Sequence, residues 1–99
     1  MSFVFELIDK TSRKIHLTKE RWTHITEPAS PHAYMTDHFE EMKETLVRPD
    51  NITSSVHDDK KANYYKYYKI REGHLKVVVK YLNGSGFIIT AHFVKNITQ

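Results

Sequence analysis

The 99-residue sequence predicts an α+β domain: two N-terminal helices packed on one face of a four-stranded antiparallel sheet, preceded by a short β-hairpin. Three observations lead there. Apolar residues at helical spacing occur between residues 18 and 47, whereas the chain beyond residue 50 reads as strands only. Short polar or glycine-containing turns separate those strands, which makes them consecutive antiparallel neighbours. A chain of this length holds one core, so residues 1–99 are read as a single domain.

The elements follow in order. "FVFELI" (3–8) reads as a strand with Phe3, Phe5 and Leu7 on one face, and "RKIHL" (13–17) as its hairpin partner across a turn at Asp9–Ser12. Thr18 stands where an N-cap is needed for a short helix ending near Thr26. Trp22 and Ile25 give that helix an apolar side, with Arg21 and His24 on a more open one. Pro28 and Pro31 then break the chain. A second helix is expected from Thr36 to Val47, with Phe39, Met42, Lys43 and Leu46 on one stripe and glutamates elsewhere. "RPDN" ends it, and strands are expected at 51–57, 63–70, 74–82 and 86–94.

Strand parity indicates which side chains share a face. Leu75, Val77, Val79 and Tyr81 form the apolar set of one strand, leaving Lys76, Val78, Lys80 and Leu82 opposite. In the last strand Phe87, Ile89, Ala91 and Phe93 are the better core set, leaving Ile88, Thr90, His92 and Val94. A three-residue loop at Asn83–Ser85 pairs Lys80 with Ile88 and keeps His92 out of the core. Lys80, Thr90 and His92 then lie together on the face away from the helices.

Fifteen Lys and Arg against twelve Asp and Glu, with seven His and six Tyr, make a cationic, aromatic and titratable surface suited to phosphates and bases. Cysteine is absent, which excludes disulfides, thiolate metal sites and a thiol nucleophile. No apolar run reaches membrane-spanning length and the N-terminus lacks a basic leader, so a cytoplasmic location without membrane contact is expected. No histidine pair has metal-site spacing, no glycine-rich phosphate loop occurs, and Ser54 and Ser55 sit on no nucleophile elbow. The expected chemistry is therefore free of metal and cofactor. The acid/base groups that remain are His24, Lys66, Lys80, Thr90 and His92. Metal-free RNA cleavage uses such groups: a base for the ribose 2′-OH, an acid for the leaving 5′ oxygen, and cations for the phosphorane.

The order of "LTKERWTHI" (17–25), "HAYM" (32–35), "EEMKETLVRPDNI" (40–52), "YYK" (64–66), "VVVK" (77–80) and "GFIITAHF" (86–93) resembles the phage and prokaryotic branch of the barnase–EndoU–colicin–RelE-like nucleases. That resemblance implies helices on one face of a four-stranded antiparallel sheet and metal-free RNA cleavage on the other. It implies His24 as an acid or base, Tyr65 and Lys66 as a substrate-binding pair, Lys80 as a phosphate-binding cation and Thr90 as a polar group of the site. His32 corresponds to an Arg-His-Pro segment of the family, and His92 replaces the tyrosine of a usual "TAY". The combined expectation is a toxin-type endoribonuclease that leaves a 2′,3′-cyclic phosphate. Its catalytic residues would be His24, Lys80, Thr90 and His92, with Arg21, His32, Tyr64, Tyr65 and Lys66 binding substrate. Its partners would be RNA, such as tRNA or mRNA, and an inhibitory antitoxin protein. Two other readings of the same face stay open: an RNA-binding module without catalysis, and a protein-docking surface around Val78, Leu82, Ile88 and Val94.

Overall fold

The N-terminal hairpin does not precede the sheet; it is part of it. The computed structural model describes residues 3–31 and 33–95. In chain order these form strands β1 (Phe3–Ile8) and β2 (Lys14–Thr18), helix α1 (Lys19–Thr26), a 3-10 turn (Ala33–His38) and helix α2 (Phe39–Val47). Strands β3 (Asn51–Ser54), β4 (Lys61–Tyr68), β5 (Gly73–Tyr81) and β6 (Ser85–Val94) follow. All six strands lie in one sheet of order β1-β2-β6-β5-β4-β3. It is mixed, because β2 pairs with β6 in parallel while every other neighbour is antiparallel. The expected four-stranded antiparallel sheet is thereby corrected. The physical reason is the outer edge of β6, the greasiest strand, whose backbone groups would otherwise be open to water or to another chain. β2 covers that edge, with Ile15 opposite Gly86 and His16 opposite Phe87.

Gly86 makes this junction possible. A β-carbon there would come within 2.8 Å of the Lys80 carbonyl oxygen and 3.0 Å of the Ile15 side chain. The β5–β6 turn is also tighter than the sequence suggested: the Leu82 N–H donates to the Ser85 carbonyl at 2.8 Å, leaving Asn83 and Gly84 as a two-residue loop. Gly84 takes the left-handed φ of 78° that this turn requires. A two-residue loop alone would drive His92 inward. Instead the register slips by one residue between Val78–Thr90 and Val79–Ile88, so Ile89 is a β-bulge and parity is restored beyond it. Ile88 therefore occupies the core position expected for Ile89, and Phe87 turns to the opposite face.

Both helices pack on one side of the sheet. Ile25 of α1, Met35 of the 3-10 turn, and Met42 and Leu46 of α2 are buried against Ile15, Leu17, Leu75, Val77, Ile88 and Ala91. The Thr18 hydroxyl caps α1 by accepting from the Arg21 N–H at 3.1 Å, as its position indicated. Trp22 meets Phe39 edge-on at 5.4 Å, tying the two helices together. The second helix is shorter than expected because its first turns, from Ala33 to His38, are 3-10. β3 stops at Ser54 because residues 55–60 form a tight loop, held by Lys61 N–H to the Asp58 carbonyl at 3.0 Å and Lys60 N–H to Asp58 Oδ1 at 2.9 Å. Among the described residues no helix packs on the second face of the sheet, although Tyr65 there is fully buried and the β3–β4 loop reaches over it through Asp58.

Candidate nucleic-acid interface

The helix-free face presents its side chains in rows across the strands. Tyr65 of β4, Lys76 of β5 and His92 of β6 are successive partners in one row. The next row toward the Asn83–Gly84 turn is Asn63, Val78 and Thr90. A third runs Lys61, Lys80, Phe87 and His16. On the other flank, Tyr67 pairs with His74, and the two rings meet edge-on at 5.5 Å. His74 lies opposite Val94, so it is the diagonal neighbour of His92 across the β5–β6 ladder. Such diagonal positions are about 7–8 Å apart. Lys76 therefore sits between two imidazoles.

The electrostatics differ along this face. Lys76 forms no ion pair among the described residues. His74 Nδ1 is buried and has no hydrogen-bond partner among them. Lys80, by contrast, donates to the Asp58 carboxylate, which reaches over the face from the β3–β4 loop. That hydrogen bond, helped by the Lys60 N–H, holds the Asp58 carboxyl below the usual carboxylate range. Lys80 is thus a cation already held by an internal anion.

Of the residues singled out in the sequence, Lys80, Thr90, His92 and Tyr65 share this side of the sheet, but Tyr65 is fully buried and offers no surface to a substrate. His24 and Arg21 do not share it. They lie exposed on α1, in the helix layer on the opposite side of the sheet, and the shallow surface around His24 carries Glu20 and Glu27 beside Lys19 and Thr23. Lys66 points to the helix side as well, where its ammonium donates to the Arg48 carbonyl at 3.1 Å and lies 3.8 Å from the Asp50 carboxylate. His32 lies outside the described residues.

Tyr64 is a core residue. Its hydroxyl donates to Asp9, a buried carboxylate, and lies 2.7 Å from the Tyr81 hydroxyl. Asp9 also accepts from the Thr11 and Arg13 N–H groups at 3.0 and 2.9 Å, closing the β1–β2 turn, and the Arg13 guanidinium covers the Tyr81 ring at 3.9 Å. Burial, then the bonds to Asp9 and Tyr81, push the Tyr64 hydroxyl far above the ordinary phenol range. It offers no stacking surface.

Sequence reasoning passed over His74, Lys76, His16 and Phe87 as members of a site. The β5 alternation already set Lys76 beside Lys80, and that signal carries His74 too. Nothing local marked His16, because its place depends on the non-local β2–β6 pairing, nor Phe87, because the bulge at Ile89 decides its face.

No three His, Asp or Glu side chains are grouped to hold a metal ion among the described residues, and none of the helices is long and apolar enough to cross a membrane. Comparison with protein-family models, with curated proteins and with solved structures finds no match for this chain.

Proposed function

We propose that the chain is a metal-independent endoribonuclease whose reacting groups lie on the helix-free face of the sheet. The observation that carries this reading is Lys76 directly opposite His92, with His74 on the diagonal. Two imidazoles flanking an ammonium form the minimal set for in-line transfer at a phosphodiester. One imidazole removes the ribose 2′-OH proton as that oxygen attacks phosphorus, and the P–O5′ bond breaks. The second imidazole protonates the departing 5′ oxygen, and the products are a 2′,3′-cyclic phosphate and a 5′-OH end. Lys76 stabilises the charge that develops on the phosphorane oxygens, and Thr90, one row away, offers a hydroxyl to a neighbouring phosphate oxygen. The short motifs that resemble barnase–EndoU–colicin–RelE-like nucleases support the same reaction class, and that class carries with it an inhibitory antitoxin partner. Under this reading His92 and His74 take the proton-transfer roles, and His24 takes none.

The test is incubation of the purified chain with a mixed tRNA and mRNA pool in EDTA. Cyclic-phosphate ends should appear, and His92→Ala and His74→Ala should each slow their appearance about 100-fold or more. Intact RNA, or cleavage unaffected by both substitutions, would refute the proposal. A second reading, RNA binding without cleavage, is favoured by one feature: Lys80, expected among the catalytic groups, is already held by Asp58, which takes one cation out of the reacting set. It predicts salt-dependent RNA affinity with no cyclic-phosphate ends.

A further inference from the structure

Beside the proposed reacting groups, the helix-free face carries a ladder of rings. Phe3 of β1 stacks on His16 of β2, with centroids 4.3 Å apart and planes 25° from parallel. His16 in turn lies 6.2 Å from the ring of Phe87 on β6. The ladder exists because of two irregularities. A register shift in β1 turns Phe3 away from Phe5, and the bulge in β6 brings Phe87 outward. Both place an apolar ring on the side of the sheet where no helix covers it, and Phe3 remains 37% exposed. The row continues from Phe87 into Lys80, which the Asp58 carboxylate holds, and on to the ammonium of Lys61.

We infer that this line is a binding track for single-stranded RNA, with an unpaired base stacking against the Phe3–His16–Phe87 ladder while a phosphate meets Lys61. The inference rests on the nuclease reading for the identity of the polymer and adds its substrate class. The alternation of π faces and cations fits a polyanion with accessible bases. In a duplex the bases are stacked on one another and turned inward, so rings on an open sheet find no partner there. A protein partner would match the rings but would gain nothing from the cations unless it were strongly acidic.

The experiment uses fluorescence anisotropy with three labelled probes: a 2′-O-methyl RNA strand that cannot be cleaved, the same strand with abasic positions, and its duplex. The unpaired, base-containing strand should bind about tenfold more tightly than either of the others. Phe87→Ala should weaken it by about tenfold while leaving the abasic strand unchanged. Phe3→Ala, at the exposed end of the ladder, guards against a folding defect in the first variant and should act in the same direction. Equal affinity for the three probes, or affinity within twofold of wild type in both variants, overturns the track. Unmodified RNA run in parallel separates this result from the fate of the nuclease reading. Cleavage without any preference for unpaired bases removes the track and keeps the nuclease. Base-dependent binding without cleavage does the reverse, and no binding of any probe together with intact unmodified RNA removes both.

Discussion

Replacing Tyr64 by Phe removes one oxygen and separates two accounts of this residue. In the fold its hydroxyl donates to the Asp9 carboxylate and is 2.7 Å from the Tyr81 hydroxyl, with Tyr64 fully buried and Asp9 nearly so. Asp9 would keep its two backbone donors from Thr11 and Arg13, so the variant loses one bond to a charged acceptor and not the whole network. Losing such a bond costs about 1.5–3 kcal/mol. In a domain of this size, each kcal/mol shifts the melting temperature by about 4–8 °C, which gives a fall of about 6–24 °C. Thermal unfolding followed by circular dichroism measures it, and RNA binding assayed well below the melting temperature should be unchanged. A variant that melts within about 2 °C of wild type and loses RNA affinity would refute the reasoning, because Tyr64 would then touch substrate and not the core.

Further outcomes follow from other residues. Gly86→Ala drives a β-carbon toward the Lys80 carbonyl and should destabilise by about 1–3 kcal/mol in urea unfolding, more than the same change at the turn tip would. The Asp58 carboxyl is held low in the fold, so its contribution is present above the unfolded value of about 3.9 and lost as pH falls through the folded one. Asp58→Asn should therefore flatten the stability profile below about pH 4. The same substitution frees Lys80, and the slope of log affinity for single-stranded RNA against log salt should steepen by about 0.7. At the alkaline end, burial foremost raises Tyr68 to about 12, and Tyr64 shifts the same way. Raised values stabilise fully below the unfolded pKa of about 10 and are lost as pH climbs beyond it, so urea midpoints should fall above about pH 10, and less steeply in Tyr68→Phe.

Several features of this fold are legible in the chain itself. Thr18 caps α1 because a hydroxyl at that position has one geometric use, and the alternation of β5 assigns its faces correctly from Leu75 to Lys80. Three features are not, and each has a physical cause. The joining of β2 to β6 is a non-local pairing, and strand periodicity names a face without naming a neighbour. The bulge at Ile89 compensates a tighter turn, and two compensating irregularities leave the parity of His92 as predicted while exchanging Phe87 and Ile88. The third is which face of β4 turns to the helices, because tyrosines occur on both of its faces. Tyr65 and Lys66 are adjacent and so point to opposite sides, and the register places Lys66 on the helix side, where it meets the carbonyl of Arg48 and the carboxylate of Asp50. His24 is the instructive residue of the candidate site. A histidine at the end of a short helix looks available for chemistry, but only the packing of both helices on one side sets it across the sheet from His92.

The central claim is that the working surface is the helix-free face of the sheet. Amide shift mapping by NMR, with the uncleavable 2′-O-methyl single strand added in steps, tests it most directly. The account predicts that the largest changes fall on His74, Lys76 and Lys80 in β5 and on Phe87, Thr90 and His92 in β6, with Arg21 and His24 of α1 nearly still. Changes concentrated on α1 around His24, with β5 and β6 unmoved, would contradict it.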